Sequence, residues 1–96
     1  MSPAWPQHVT GPLRTVLTAM LAAGGAERHG WALVQTTCLT GATVYRVLRR
    51  LSEAGWASTR CEPTSLVPSL PPRRYYRLTD EGTERALELL ARRRPR

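Results

Sequence analysis

The stretch 62–73 constrains the chain most, because it carries Pro63, Pro68, Pro71 and Pro72. Proline has no N–H to give a helix or a strand ladder, so this stretch belongs to a loop. Strand-like patterns flank it on both sides. Residues 56–61 alternate, and 74–78 place Tyr76 and Leu78 on one face with Tyr75 and Arg77 on the other. Two alternating segments joined by a proline loop read as a β-hairpin. What precedes and follows the hairpin has helical periodicity, so the expected fold is mainly α with a small β-hairpin, an α+β arrangement.

Gly11-Pro12 reads as a helix start, since proline suits the first helical position. Leu13, Val16, Leu17, Met20 and Leu21 then form one apolar face, and Gly24-Gly25 ends the run. Residues 26–29 suit a connector or a single-bridge strand. A short second helix is expected from Gly30, with Trp31, Val34 and Cys38 on one face, His29 positioning its start and Leu39-Thr40 breaking it. Thr40 is a good N-cap for a third helix over 40–54. There Val44, Val47, Leu48 and Leu51 form an apolar stripe, Arg46, Arg49, Arg50 and Glu53 take the other side, and Gly55 closes the helix. Thr79 caps a last helix whose first turn holds Asp80 and Glu81, where carboxylates favour the positive helix end. Residues 1–10, with Pro3, Trp5 and Pro6, lack a period and read as an irregular arm. The remainder, 11–94, is expected to be a single domain, since 96 residues support one core. Trp31, Tyr45, Trp56 and Tyr76 are expected in that core.

Several function classes find no support. No window reaches the ~18 apolar residues of a membrane span, and no charged region followed by an apolar one opens the chain, so a cytoplasmic protein is expected. Cys38 and Cys61 lack His or Cys neighbours at ligand spacing, which argues for free thiols rather than a metal site or a disulfide framework. His8 and His29 have no carboxylate or second His at fixed spacing. Without a nucleophile and base pair or a phosphate-cradling glycine loop, neither an enzyme nor a cofactor is expected.

The charge points elsewhere. A net charge of +7 arises from 14 basic residues, all of them Arg, against seven acidic ones. Base-composition bias alone can replace Lys by Arg, so the position of each Arg carries the argument. Two helices joined by a tight turn, the second displaying Arg outward and running into a hairpin, describe a winged helix-turn-helix. A helix that enters the major groove needs an apolar side to hold it and donors on the other to reach bases and phosphates. Thr40, Ala42, Thr43, Tyr45, Arg46, Arg49 and Arg50 meet that second need, with Arg46 placed for guanine. Arg60, Arg73 and Arg74 flank the wing, 61–73, and are expected on the DNA backbone. A bland role for Arg73 and Arg74 is to guard an edge strand.

The expected partner is double-stranded DNA with a palindromic operator, bound by a homodimer. A thin domain favours pairing, and the first helix with Leu87, Leu89 and Leu90 offers apolar surface for it. Any small-molecule effector would have to use a dimer cleft or the space between helices. The competing reading is a winged-helix protein-interaction module that docks a partner on the proline loop and the outer apolar faces. Such a module would have no need of three Arg on the third helix.

The strings His29-Gly30-Trp31, Thr43-Val44-Tyr45, Leu48-Arg49-Arg50-Leu51 with Gly55-Trp56, and the run Arg74-Tyr75-Tyr76-Arg77-Leu78-Thr79-Asp80-Glu81-Gly82 resemble PadR-type transcriptional regulators over about residues 13–90. The resemblance implies a homodimeric repressor whose third helix enters the major groove, whose wing contacts flanking backbone and whose last helix helps dimerisation. Two features depart from that pattern. The run from Trp31 to Thr43 is closer to the spacing of MarR-type winged helices, and Cys38 stands where helix-turn-helix turns usually carry Gly.

Overall fold

A computed structural model describes residues 11–62 and 74–91. Its elements run α1 (Gly11–Ala22), β1 (Arg28–His29), α2 (Gly30–Thr37), α3 (Gly41–Glu53), β2 (Ala57–Cys61), β3 (Arg74–Leu78) and α4 (Asp80–Ala91). The irregular arm expected over 1–10 and the loop 63–73 lie outside the described residues.

The three strands form one antiparallel sheet in the order β1-β3-β2. β2 and β3 are the expected hairpin, with Ala57 opposite Leu78 and Cys61 opposite Arg74. The stretch 26–29 does more than connect, because Arg28 and His29 pair with Tyr76 and Tyr75 and add a third strand.

The core lies between the helices and the inner face of the sheet. Val16, Leu17, Leu33, Val44, Leu48 and Leu51 are fully enclosed, and Trp56, Tyr76 and Leu78 close the sheet side. Each such aliphatic side chain contributes roughly 1.5–3 kcal/mol by leaving water. All four members of the α3 stripe are buried, so this helix is fixed by packing and its opposite side is left for other uses.

The inner face of α2 differs from the expected one. Gly30, Leu33 and Val34 face the core, whereas Trp31 is 56% exposed and Cys38 is exposed. Leu33 carries the burial, which rotates Trp31 outward. The apolar surface expected to await a second copy is also smaller than the sequence suggests. The apolar face of α1 and Leu89 are spent in the domain's own core, while Leu87 of α4 stays exposed.

Helix ends are tied by side chains. The Arg14 guanidinium donates to the carbonyls of Leu89 and Leu90 at 3.3 and 3.2 Å, placing a cation at the negative end of α4 and joining it to α1. Thr79 accepts from the Gly82 N–H at 3.0 Å and donates to the Gly55 carbonyl at 2.8 Å, so the cap of α4 is anchored on the turn that ends α3.

Candidate nucleic-acid interface

The turn before α3 is made by Cys38, in the left-handed region at φ 60° and ψ 21°. Its N–H donates to the Val34 carbonyl at 3.0 Å, which ends α2 tightly. Thr40 then caps α3 by accepting from the Thr43 N–H at 3.3 Å, and its hydroxyl donates to Thr43 Oγ1 at 2.9 Å. This cap satisfies one of the free donors of the first turn. It also fixes the Thr43 hydroxyl at the helix opening.

Ala42, Tyr45, Arg46, Arg49 and Arg50 are exposed on α3, and Thr43 is half-buried. Arg46, Arg49 and Arg50 lie outside the buried stripe. Arg49 approaches Glu53 at 3.8 Å, with both side chains largely in water. Such a pair is weak and easily exchanged for another anion.

Tyr45 was expected in the core, yet it is 43% exposed. Its ring lies across α2: a Cβ on Gly30 would come within 2.7 Å of the Tyr45 Oη. A side chain at position 30 would push the exposed Tyr45 ring aside. Beyond Tyr45, an open groove of about 340 Å³ runs between α3 and the sheet, bordered by Tyr45, Arg49, Glu53, Thr59, Arg74 and Tyr76. It carries the guanidinium groups of both α3 and the hairpin. Burial pushes the Tyr76 phenol up, with Arg74 opposing that shift.

At the base of the wing, Arg74 is exposed and its Nε donates to Cys61 Sγ at 3.3 Å. It stands one residue beyond the β1 pairing, so on β3 it is paired with Cys61 alone. Arg73 lies outside the described residues. Arg60 is engaged within the molecule, and its guanidinium grips Glu27 through Nε and Nη2. That contact holds the Glu27 carboxyl below its usual range and raises Arg60. The pairing was not legible locally, because Glu27 lies 33 residues away along the chain. His29 caps α2 as expected, its Nδ1 accepting from the Ala32 N–H at 3.3 Å. No group of His, Cys, Asp and Glu among the described residues could hold a metal ion. No helix among them is long and apolar enough to cross a membrane.

A sequence profile described as the transcriptional regulator PadR-like family matches residues 19–88. The chain belongs to the PadR-like family. This makes it a DNA-binding transcriptional regulator. The PadR-like chain is similar in structure to PadR of Bacillus subtilis, solved in complex with operator DNA. The TM-score is 0.69 at 18% identity, covering 86% of this chain and 48% of that one. BpsR of Bordetella bronchiseptica, studied for regulation of its DNA binding by 6-hydroxynicotinic acid, gives 0.72 at 21% identity, covering 88% and 59%. A cysteine-to-serine mutant of MarR from Escherichia coli gives 0.68 at 20% identity, covering 86% and 56%. The PadR-like chain therefore spans about half to three-fifths of these regulators. A comparison with curated proteins finds no match. The likenesses establish the winged-helix fold and include both PadR and MarR regulators.

Proposed function

We propose that this PadR-like regulator acts as a homodimeric repressor that occupies a palindromic operator, with α3 in the major groove and the wing on the flanking backbone. The observation that carries the reading is α3 itself. One side is wholly buried, and the other presents Arg46, Arg49 and Arg50 to solvent behind a threonine-capped opening. An apolar anchor with outward donors is what a groove-inserted helix requires. Thr40, Ala42 and Thr43 form the small, close-approaching start, Arg46 reads a guanine edge, and Tyr45, Arg49 and Arg50 border the backbone. Arg74, with Arg73, serves phosphates flanking the half-site. The Bacillus subtilis PadR, of similar fold, was solved with operator DNA, which supports DNA as the partner here. Such a protein works in the cytoplasm, where its DNA is.

Selecting bound fragments from random duplex DNA tests the proposal. The expected product is a two-fold symmetric motif with half-sites about one helical turn apart. Recovery without any sequence enrichment would contradict it.

A further inference from the structure

Arg60 was expected on the DNA backbone, but its geometry gives it other work. Its Nε donates to Glu27 Oε2 at 2.9 Å and its Nη2 to Glu27 Oε1 at 3.0 Å. The guanidinium also lies 4.7 Å over the Tyr75 ring, a cation–π contact. Strand register sets Arg60 opposite Tyr75 and Tyr75 opposite His29, so one row of side chains crosses all three strands. His29 meets the Tyr75 ring edge-on at 6.1 Å. At the other end, the Tyr75 hydroxyl donates to Glu62 Oε1 at 2.8 Å, where β2 passes into the connection toward β3. Glu27 directly precedes β1, and β1 runs into α2 through its cap His29. The grip therefore ties the edge strand of the wing to the segment that leads into the helix-turn-helix, across the central strand.

We infer that Arg60 is the positioning residue of the wing, acting through Glu27 and Tyr75 rather than through contact with DNA. The inference rests on the DNA-binding reading. A guanidinium with its Nε–Nη2 edge on a carboxylate and a face on a ring is held in direction by that network, and swinging its engaged edge to a phosphate would give the network up. Held in place, it keeps the hairpin at a fixed angle to α3, so that Arg74 and Arg49 can meet the same duplex. An exposed ion pair adds little to fold stability alone, so its loss is read in binding.

The test titrates the full chain and its variants on a duplex recovered by the selection, at several salt concentrations, with circular dichroism confirming folding. Arg60→Met should weaken binding by about fivefold while the slope of log affinity on log salt stays at the parent's value. Glu27→Gln should weaken it too, although it removes a negative charge. The swap E27R/R60E should recover to within about twofold of the parent, where Arg60→Glu alone stays weak. A slope reduced by about 0.9 in Arg60→Met, with no recovery in the swap, would assign Arg60 to a phosphate and overturn the inference. Tighter binding by Glu27→Gln, or parental binding by Arg60→Met, would overturn it as well. A parent that binds no duplex fails the DNA-binding reading itself, and this role with it.

Discussion

The backbone carbonyl of Trp56 occupies the place where a side chain on Gly82 would begin: a Cβ there would fall 2.6 Å from the Trp56 carbonyl carbon and closer still to its oxygen. That oxygen also accepts the Thr79 N–H at 2.9 Å. The first turn of α4 thus lies directly on the backbone that leads into β2. Gly82→Ala cannot be relieved by a rotamer change, and one element has to move. It should cost about 3 kcal/mol, the upper end of overpacking effects. Urea unfolding of the variant against the parent checks this, and a loss below about 0.5 kcal/mol would mean that the junction adapts freely.

Cys38 holds a left-handed conformation at φ 60° with a side chain attached. Glycine is free of that penalty, so Cys38→Gly should stabilise the domain by about 0.5–1 kcal/mol, seen as a higher Tm. Cys38→Ala should melt close to the parent, because the strain lies in the backbone and the thiol is exposed.

Glu27 gives the wing base a pH dependence. The hydrogen bond from Arg60 holds its carboxyl below the usual 4.5, opposed by desolvation and aided by the weaker effects of the Arg60 and Arg77 charges. A carboxylate with a depressed native value contributes stability above its unfolded value and loses it as pH falls through the native one. The stability difference between parent and Glu27→Gln, small because the pair is exposed, should therefore be full near neutrality and shrink below pH 4.5. Thermal unfolding across the range from neutrality into acid measures it, and a constant difference would mean that Glu27 is not ionised in its pair.

Arg74 is placed to serve a phosphate at the wing base. If it does, Arg74→Ala should reduce the slope of log affinity on log salt by about 0.9 and keep the preferred sequence. An unchanged slope would return it to guarding the end of β3.

What the sequence made legible was mostly local. The cap at Thr40, the glycine stop at Gly55 and the alternation of Tyr76 and Leu78 each follow from neighbours within a turn or a strand, and all stand in the structure. The arginine side of α3 was readable for the same reason, since a 3.6-residue period separates it from its buried stripe. The phase of α2 was not, because eight residues give a short period and the bulk of Trp31 drew the inner face toward it and away from Leu33. Contacts between distant residues left no trace in spacing. The sequence assigns Arg14 no role and Arg60 to the DNA backbone, whereas the fold brings carbonyls to the first and a carboxylate to the second.

Whether α3 reads base edges is decided by Arg46→Ala. The measurement is a titration on the selected operator and on a scrambled duplex at one fixed salt concentration, with thermal unfolding alongside. Arg46 is exposed, so stability should stay within about 0.5 kcal/mol of the parent. A bidentate arginine–guanine contact gives roughly 1–3 kcal/mol of discrimination. Operator affinity should fall by that amount, with a much smaller change on the scrambled duplex and relaxed preference at one position of each half-site. Equal losses on both duplexes would confine Arg46 to the backbone, and no loss on either would take α3 out of the major groove.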